Sequence, residues 1–228
     1  MATRRELLIT GLGTTALIAC RHGAAKAGGE REDEEEVTPA EDLMREHGVL
    51  RRILIVWAEA VRRLQANESL PPDVLASSTA IIRTFIHDYH EHNEEQYLFP
   101  RFEAAKREVP LIQTLRKQHE IGRALTDRIA AAANPAALGD PAKRAGVIAS
   151  IADFTRMYRA HAAREDTVLF PALAPLVGHK EYEELGEKFE EDEHKRFGEG
   201  GFEQVVTEVA AIEATLGIAD LATFTPTL

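Results

Sequence analysis

Two stretches of the chain, HEHNEEQYLFP (residues 90–100) and HAAREDTVLFP (161–171), carry a histidine, a glutamate four places on and a Leu-Phe-Pro ending in the same register, 71 positions apart. Imidazole nitrogens and carboxylate oxygens are ligand types that suit transition metals such as iron and manganese. A His-x-x-x-Glu pair on a helix sets both groups on one face, one turn apart. The repeat also reaches further back. REHGVL supplies His47 and KQHEIG supplies His119, 72 positions apart, each followed 43 or 42 residues later by its His-x-x-x-Glu. The candidate ligands are therefore His47, His90, Glu94, His119, His161 and Glu165, written as two similar halves.

Such residues need elements that bring them to one depth. From about residue 40 the apolar residues recur at helical spacing, with no alternation of period two. Thr38-Pro39-Ala40-Glu41 reads as a helix start, with Thr as cap and Glu three places on. Helices are expected over about 38–65, 72–106, 110–133 and 142–176, with ANESLPPD, EVP, NPAALGDP and VGHK as breaks, and further helical segments over 181–197 and 202–216. The expected fold is all-α: an up-down-up-down four-helix bundle over residues 40–178 with a C-terminal helical extension over 179–228. At about 100° per residue all six candidates fall on apolar stripes and face inward. His47 stands as far from the end of its helix as His90 stands from the start of the next, so an antiparallel pair meets at one height. The second hairpin agrees less closely.

Two carboxylates and four imidazoles facing one another in an apolar interior cost several kcal/mol each unless protons, partner charges or metal compensate them. No lysine or arginine is fixed on those stripes, although Arg83 comes within about 20° of the His90 direction. A metal pair, bridged by the carboxylates and capped by the histidines, answers all six groups at once. His87 with Glu91 offers a rival register, but a shift of 71 sets Tyr158 and Ala162 opposite them, and His92 faces Ala163. His87, Glu91 and His92 are therefore expected at the rim of the site or, as for His87 and Glu91, among the residues that support its ligands from outside, Glu91 with the best claim to reach the metals. Glu95 and Asp166 adjoin the proposed ligands, placed either to accept outer hydrogen bonds from them or to line a solvated helix edge. His194 reads as a surface or capping residue.

The pattern His47, His90-x-x-x-Glu94, His119, His161-x-x-x-Glu165, with both Leu-Phe-Pro continuations, resembles the hemerythrin-like (HHE cation-binding) family over roughly residues 40–176. That resemblance implies a non-haem di-iron centre with carboxylate bridges and open positions for dioxygen, nitric oxide or a peroxide. Two departures stand out. Oxygen-carrying hemerythrins have a second histidine on the third helix, where this chain has Arg123, and a histidine followed five residues later by aspartate on the fourth, where Glu165 comes four after His161. The set of four His and two Glu is closer to diiron proteins linked to nitrosative stress and iron–sulfur repair, whose N-terminal cysteine motif is lacking here. The resemblance implies two iron ions as cofactor, with manganese or a mixed pair also suited to these ligands. It implies binding or sensing of O2, NO or H2O2 as the function. The alternatives are a diiron oxidoreductase consuming peroxide or NO, and an iron-holding protein with no redox role.

The N-terminal stretch TRRELLITGLGTTALIAC pairs Arg4 and Arg5 ahead of an uncharged run from Leu7 to Ala19, too short for an ordinary spanning helix and similar to a twin-arginine export signal. Leu17-Ile18-Ala19-Cys20 resembles a bacterial lipobox. The expectation is a signal peptide over 1–20, lipidation at Cys20 and a disordered acidic linker over 21–39. The protein would then be extracytoplasmic, touching a membrane only through its lipid. One cysteine excludes an internal disulfide. A net charge of −11 argues against nucleic acid as a partner.

Overall fold

The computed structural model describes residues 37–227. The signal-peptide and Cys20 expectations, and most of the linker, lie outside them. Among the described residues every regular element is helical: α1 (Pro39–Ala66), α2 (residues 72–104), α3 (Val109–Ala131), α4 (Pro135–Gly139), α5 (residues 141–177), α6 (His179–Phe197), α7 (Gly201–Leu216) and a 3-10 turn, Leu221–Phe224. None of the helices is long and apolar enough to cross a membrane.

The helix ends follow from local chemistry. Thr38 Oγ1 accepts the Glu41 N–H at 3.3 Å, and Pro39, whose missing N–H costs nothing in a first turn, opens α1. Asn67 closes it in the left-handed region at φ 56°, its N–H reaching the Arg63 and Leu64 carbonyls. The expected break NPAALGDP holds a single helical turn, α4. The Asn134 side chain accepts the Ala137 N–H at 2.9 Å and Pro135 fits the first turn, so eight residues of turn chemistry suffice to wind it.

Two of the helices widen where the repeated phrase lies. α2 is π-helical over Ile82–His90 and Glu94–Leu98, and α5 over Glu165–Leu169. The segments at 94 and 165 are 71 positions apart, and each runs into a Phe-Pro. Pro100 and Pro171 have no N–H to give, and in a regular helix their rings press on the carbonyl four residues back. Here the Phe99 N–H bonds to the Glu94 carbonyl and the Phe170 N–H to that of Glu165, five residues back, which opens the turn and makes room for the ring. The Leu-Phe-Pro endings thus shape the turns on whose first residues the two glutamates sit.

The interior consists of two apolar clusters. On α1, Ala40 and Leu43 belong to one, and Val49 onward to the other; on α3, Ile112 and Leu115 precede Leu125 and Ile129 in the same order. On α2 and α5 the order reverses: Ile82–Tyr89 and Ile151–Ala162 come first, then Leu98–Phe102 and Leu169–Leu173. In all four helices the candidate ligands fall at the boundary, so the site is a polar layer between two apolar ones. α6 adds Leu185 and Phe189 to the first cluster, and α7 adds Val205, Val209, Ile212 and Leu216 to the second. Arg52 ties α1 to α7 through Glu213 at 2.9 and 2.6 Å.

Trp57 anchors the second cluster, fully buried with Phe154 edge-on at 4.8 Å. Its indole N–H donates to Ser78 Oγ at 2.7 Å, and Ser78 donates on to the Val74 carbonyl at 2.6 Å. Ser78→Ala orphans that N–H and is expected to cost about 1–3 kcal/mol in urea denaturation. A loss no larger than that of a silent surface change, about 0.5 kcal/mol, would contradict the role given to this bond.

Candidate metal centre

The six candidate ligands converge, each no more than 3 % exposed. Donor atoms of His47, His90, Glu94 and Glu165 all lie within 4.8 Å of one another, and so do those of Glu94, His119, His161 and Glu165. Both glutamates therefore belong to two groups. Glu165 Oε2 stands 3.4 Å from His47 Nε2 and 3.0 Å from His161 Nε2. Glu94 stands 3.7 Å from His90 Nε2 and 3.4 Å from His119 Nε2. Each carboxylate spans the two histidine pairs.

All four Nε2 atoms turn inward because every Nδ1 is held outside. His47 Nδ1–H donates to Asp166 at 2.6 Å, His119 to Glu95 at 2.8 Å, His90 to Glu46 at 2.5 Å and His161 to the Gln118 side-chain oxygen at 2.9 Å. Of the two readings open for Glu95 and Asp166, hydrogen bonding to the histidines holds. Arg51 pairs with Asp166, and Arg123 with Glu95 at 2.8 Å. Phe170 stacks on His47 at 5.4 Å and Phe99 on His119 at 5.6 Å. Every one of these contacts to His47 and His119 crosses from one half of the repeat to the other.

Glu46, Gln118 and Arg51 have no place in the sequence pattern, and Arg123 enters it only as a departure from a histidine, though the same 72-residue shift links Glu46 to Gln118 and Arg51 to Arg123. The expectation of no fixed cation beside the site is corrected by both arginines, which reach in from half-exposed positions. Arg83 points away to Asp127. Its expected alignment with His90 assumed regular turns, and the intervening residues are π-helical.

Of the two places open for His87 and Glu91, burial excludes the rim: they are 4 % and 0 % exposed. His87 Nδ1–H donates to Glu91 Oε1 at 2.9 Å, its Nε2 meets Thr126 Oγ1 at 2.9 Å, and Tyr158 donates to the same Glu91 oxygen at 2.5 Å. Glu91, Glu95 and His119 form a third group with metal-ligand spacing. Arg123 already serves it as cation, 3.0 Å from Glu91 and 2.8 Å from Glu95. His92 is half-buried and His194 exposed, and neither joins the centre.

The electrostatics of the metal-free site are strained in opposite senses. Burial disfavours a charged His47, yet Asp166 and Glu165 hold its pKa up to about 9. Burial likewise opposes charge on His119, which Glu91, Glu94 and Glu95 hold at about 10. His90 is pushed down to about 4 by burial. Burial raises Glu46 to about 8, against the Tyr89 hydroxyl and His47. Glu94 is raised by burial and then by Glu165, whereas Glu165, despite burial, is held well below the usual range by His161 and His47. Histidines with raised pKa stabilise the fold fully below their unfolded value of 6.5, and that stabilisation is lost as pH climbs through 9 and 10. Metal-free protein is thus expected to lose stability steadily between pH 6.5 and about 10 in urea titrations. A flat profile over that window would show that His47 and His119 are not held charged.

The donor set fits a metal pair on one decisive observation. His47 and His90 Nε2 and all four oxygens of Glu94 and Glu165 are buried without a hydrogen-bond partner. Buried polar atoms are nearly always satisfied, and these six converge on one small volume from residues with nitrogen and oxygen ligand chemistry.

Comparison with known proteins agrees. The family model described as the hemerythrin HHE cation binding domain matches residues 38–173. "Uncharacterized protein Rv1995" of Mycobacterium tuberculosis and "Uncharacterized protein Mb2018" of Mycobacterium bovis are each 47% identical over 226 residues, covering 97% of this chain and 89% of theirs. No solved structure matches the chain. With its model covering more than half the sequence, and with four histidines and two glutamates gathered in one buried layer, the chain belongs to the hemerythrin HHE cation-binding family.

Proposed function

We propose that the protein holds a pair of iron ions in this layer and uses them to bind or sense a small ligand, O2, NO or a peroxide. His47 and His90 would hold one ion, His119 and His161 the other, with Glu94 and Glu165 shared between them. The observation that carries the reading is that the unpartnered oxygens of Glu94 and Glu165 are shared by two overlapping groups, one of them completed by the unpartnered Nε2 atoms of His47 and His90 and the other by His119 and His161. The alternating order of the apolar clusters along α1, α2, α3 and α5 supports an up-down-up-down bundle around that pair. Bound iron would supply redox chemistry and the affinity for such a ligand. The chain's own part is to orient four imidazoles through Asp166, Glu46, Glu95 and Gln118 and to wall the layer off with Phe99 and Phe170. Manganese or a mixed pair suits the same donors. The arginine pair and lipobox-like run ending at Cys20 support export and a lipid tether, and an unchanged membrane fraction in Cys20→Ala would sink that part.

Anaerobic iron loading followed by spectra before and after O2, NO and H2O2 tests the function. A stable reversible adduct is the expected result, sustained turnover of peroxide points instead to an oxidoreductase, and spectral silence to a store. Metal uptake also has a proton signature. His47 and His119, held charged to about 9 and 10, must each surrender the Nε2 proton, so at least about two protons per chain are released at pH 7. Calorimetry in buffers of different ionisation enthalpy reads that number, and affinity is expected to tighten from pH 7 to 9.

A further inference from the structure

The outer partners of the four histidines agree between the halves, with one exception. Asp166 with Arg51 on His47 is matched by Glu95 with Arg123 on His119. On the remaining two histidines the partners differ: His90 donates to the buried carboxylate Glu46, and His161 to the uncharged amide of Gln118. Glu46 and Gln118 are 72 positions apart and occupy equivalent places. We infer that the two metal positions are unequal, and that the one made by His47 and His90 takes its ion first and holds it more tightly than the one made by His119 and His161. The inference rests on the metal-pair reading above.

The reason is the path by which charge reaches the ligand nitrogen. An imidazole whose Nδ1–H donates to a carboxylate is a more basic ligand at Nε2 than one donating to a neutral oxygen. A cation on Nε2 makes the Nδ1 proton more acidic, and its bond to a carboxylate becomes charge-assisted, roughly twice as strong as a neutral one. The first position has two such rings, the second only one. Net charge does not decide the matter. Asp166 with Arg51 on one side is matched by Glu95 with Arg123 on the other, and each side has one further buried acid, Glu46 or Glu91, so the number of acids and arginines is the same. What differs is placement. Glu46 is bonded to a ligand ring, whereas Glu91 is bonded to His87 and Tyr158 and ion-paired with Arg123. Outer partners of this kind change metal affinity by about 10- to 100-fold, and a gap of about tenfold is expected here.

The test is a Co(II) titration of the metal-free full-length protein, followed by its visible bands and by chelator competition. Two like charges on shared ligands lower the second affinity even in a symmetric site, so the gap alone decides nothing and variants must assign the steps. His90→Ala is expected to weaken the first step, while His161→Ala leaves it near wild type and removes the second. Glu46→Gln is expected to weaken the first step about tenfold. Gln118→Glu narrows the gap from the other side by tightening the second, and the melting curve of each variant checks its fold. Equal weakening of the first step by His90→Ala and His161→Ala, or an unchanged gap in Glu46→Gln, overturns the inference while leaving the metal pair intact. Failure of the wild-type protein to take up Co(II) overturns both.

Discussion

Glu165→Gln is expected to destabilise the metal-free protein by about 3 kcal/mol at pH 7, clearly more than Glu94→Gln at the facing position. The two glutamates are alike in burial and in the role proposed for them, yet their neighbours hold them differently. Glu165 is held ionised by His161 at 3.0 Å and His47 at 3.4 Å, so removing its charge strands the buried imidazolium of His47. Glu94, raised by burial and then by Glu165, is held ionised less firmly than Glu165, so glutamine in its place costs less. Urea denaturation of metal-free protein measures the difference, and equal losses would refute the assignment of charge. With metal the asymmetry disappears. Each carboxylate spans both histidine pairs, so either substitution is expected to abolish stoichiometric loading of both positions, as elemental analysis would report.

The second large effect comes from a residue with no ligand chemistry. In the interior of α3, Gly122→Ala would ordinarily gain about 1 kcal/mol of helix propensity. A Cβ there would stand 2.0 Å from the Tyr158 hydroxyl and 2.7 Å from the ring, so the tyrosine must leave its place. Tyr158 is packed against Phe154 at 4.1 Å and His161 at 5.2 Å, with no slack to yield. Overpacking costs about 1–3 kcal/mol, and loss of the Tyr158 bond to buried Glu91 adds about 1–3 more, so a net loss of roughly 3 kcal/mol is expected. Tyr158→Phe in the Gly122→Ala background should recover part of it, because the hydroxyl makes the closest contact. A double variant no better than Gly122→Ala would mean that the strain lies elsewhere.

The ligand layer was legible because its residues are written twice. One copy of His-x-x-x-Glu leaves His87–Glu91 and His90–Glu94 as rivals, and the shift of 71 chooses between them. The helices and most of their ends follow from caps, prolines and apolar spacing. What escaped has definable causes. Regular turns were assumed where α2 is π-helical, which misplaced Arg83. Glu46, Gln118 and Arg51 flank the apolar and ligand stripes, and Arg123 reads only as a missing histidine, so spacing alone does not give them their roles although the repeat carries them too. The burial of Glu91 was hidden because its partners, His87, Tyr158 and Arg123, come from three helices and have no common spacing.

The crossed bracing of the layer has a consequence for how such a site can be assembled. Residues of one hairpin, Glu95 and Phe99, steady His119 of the other, and Asp166 and Phe170 return the support to His47. A single hairpin facing an identical copy across a two-fold axis would rebuild the whole arrangement, glutamate for glutamate and ring for ring. Identical subunits, however, cannot carry glutamate in one copy of a position and glutamine in the other. Covalent fusion of the halves removes that constraint, and the chain has used the freedom at Glu46 and Gln118, at His87 and Tyr158, and at Glu91 and Ala162.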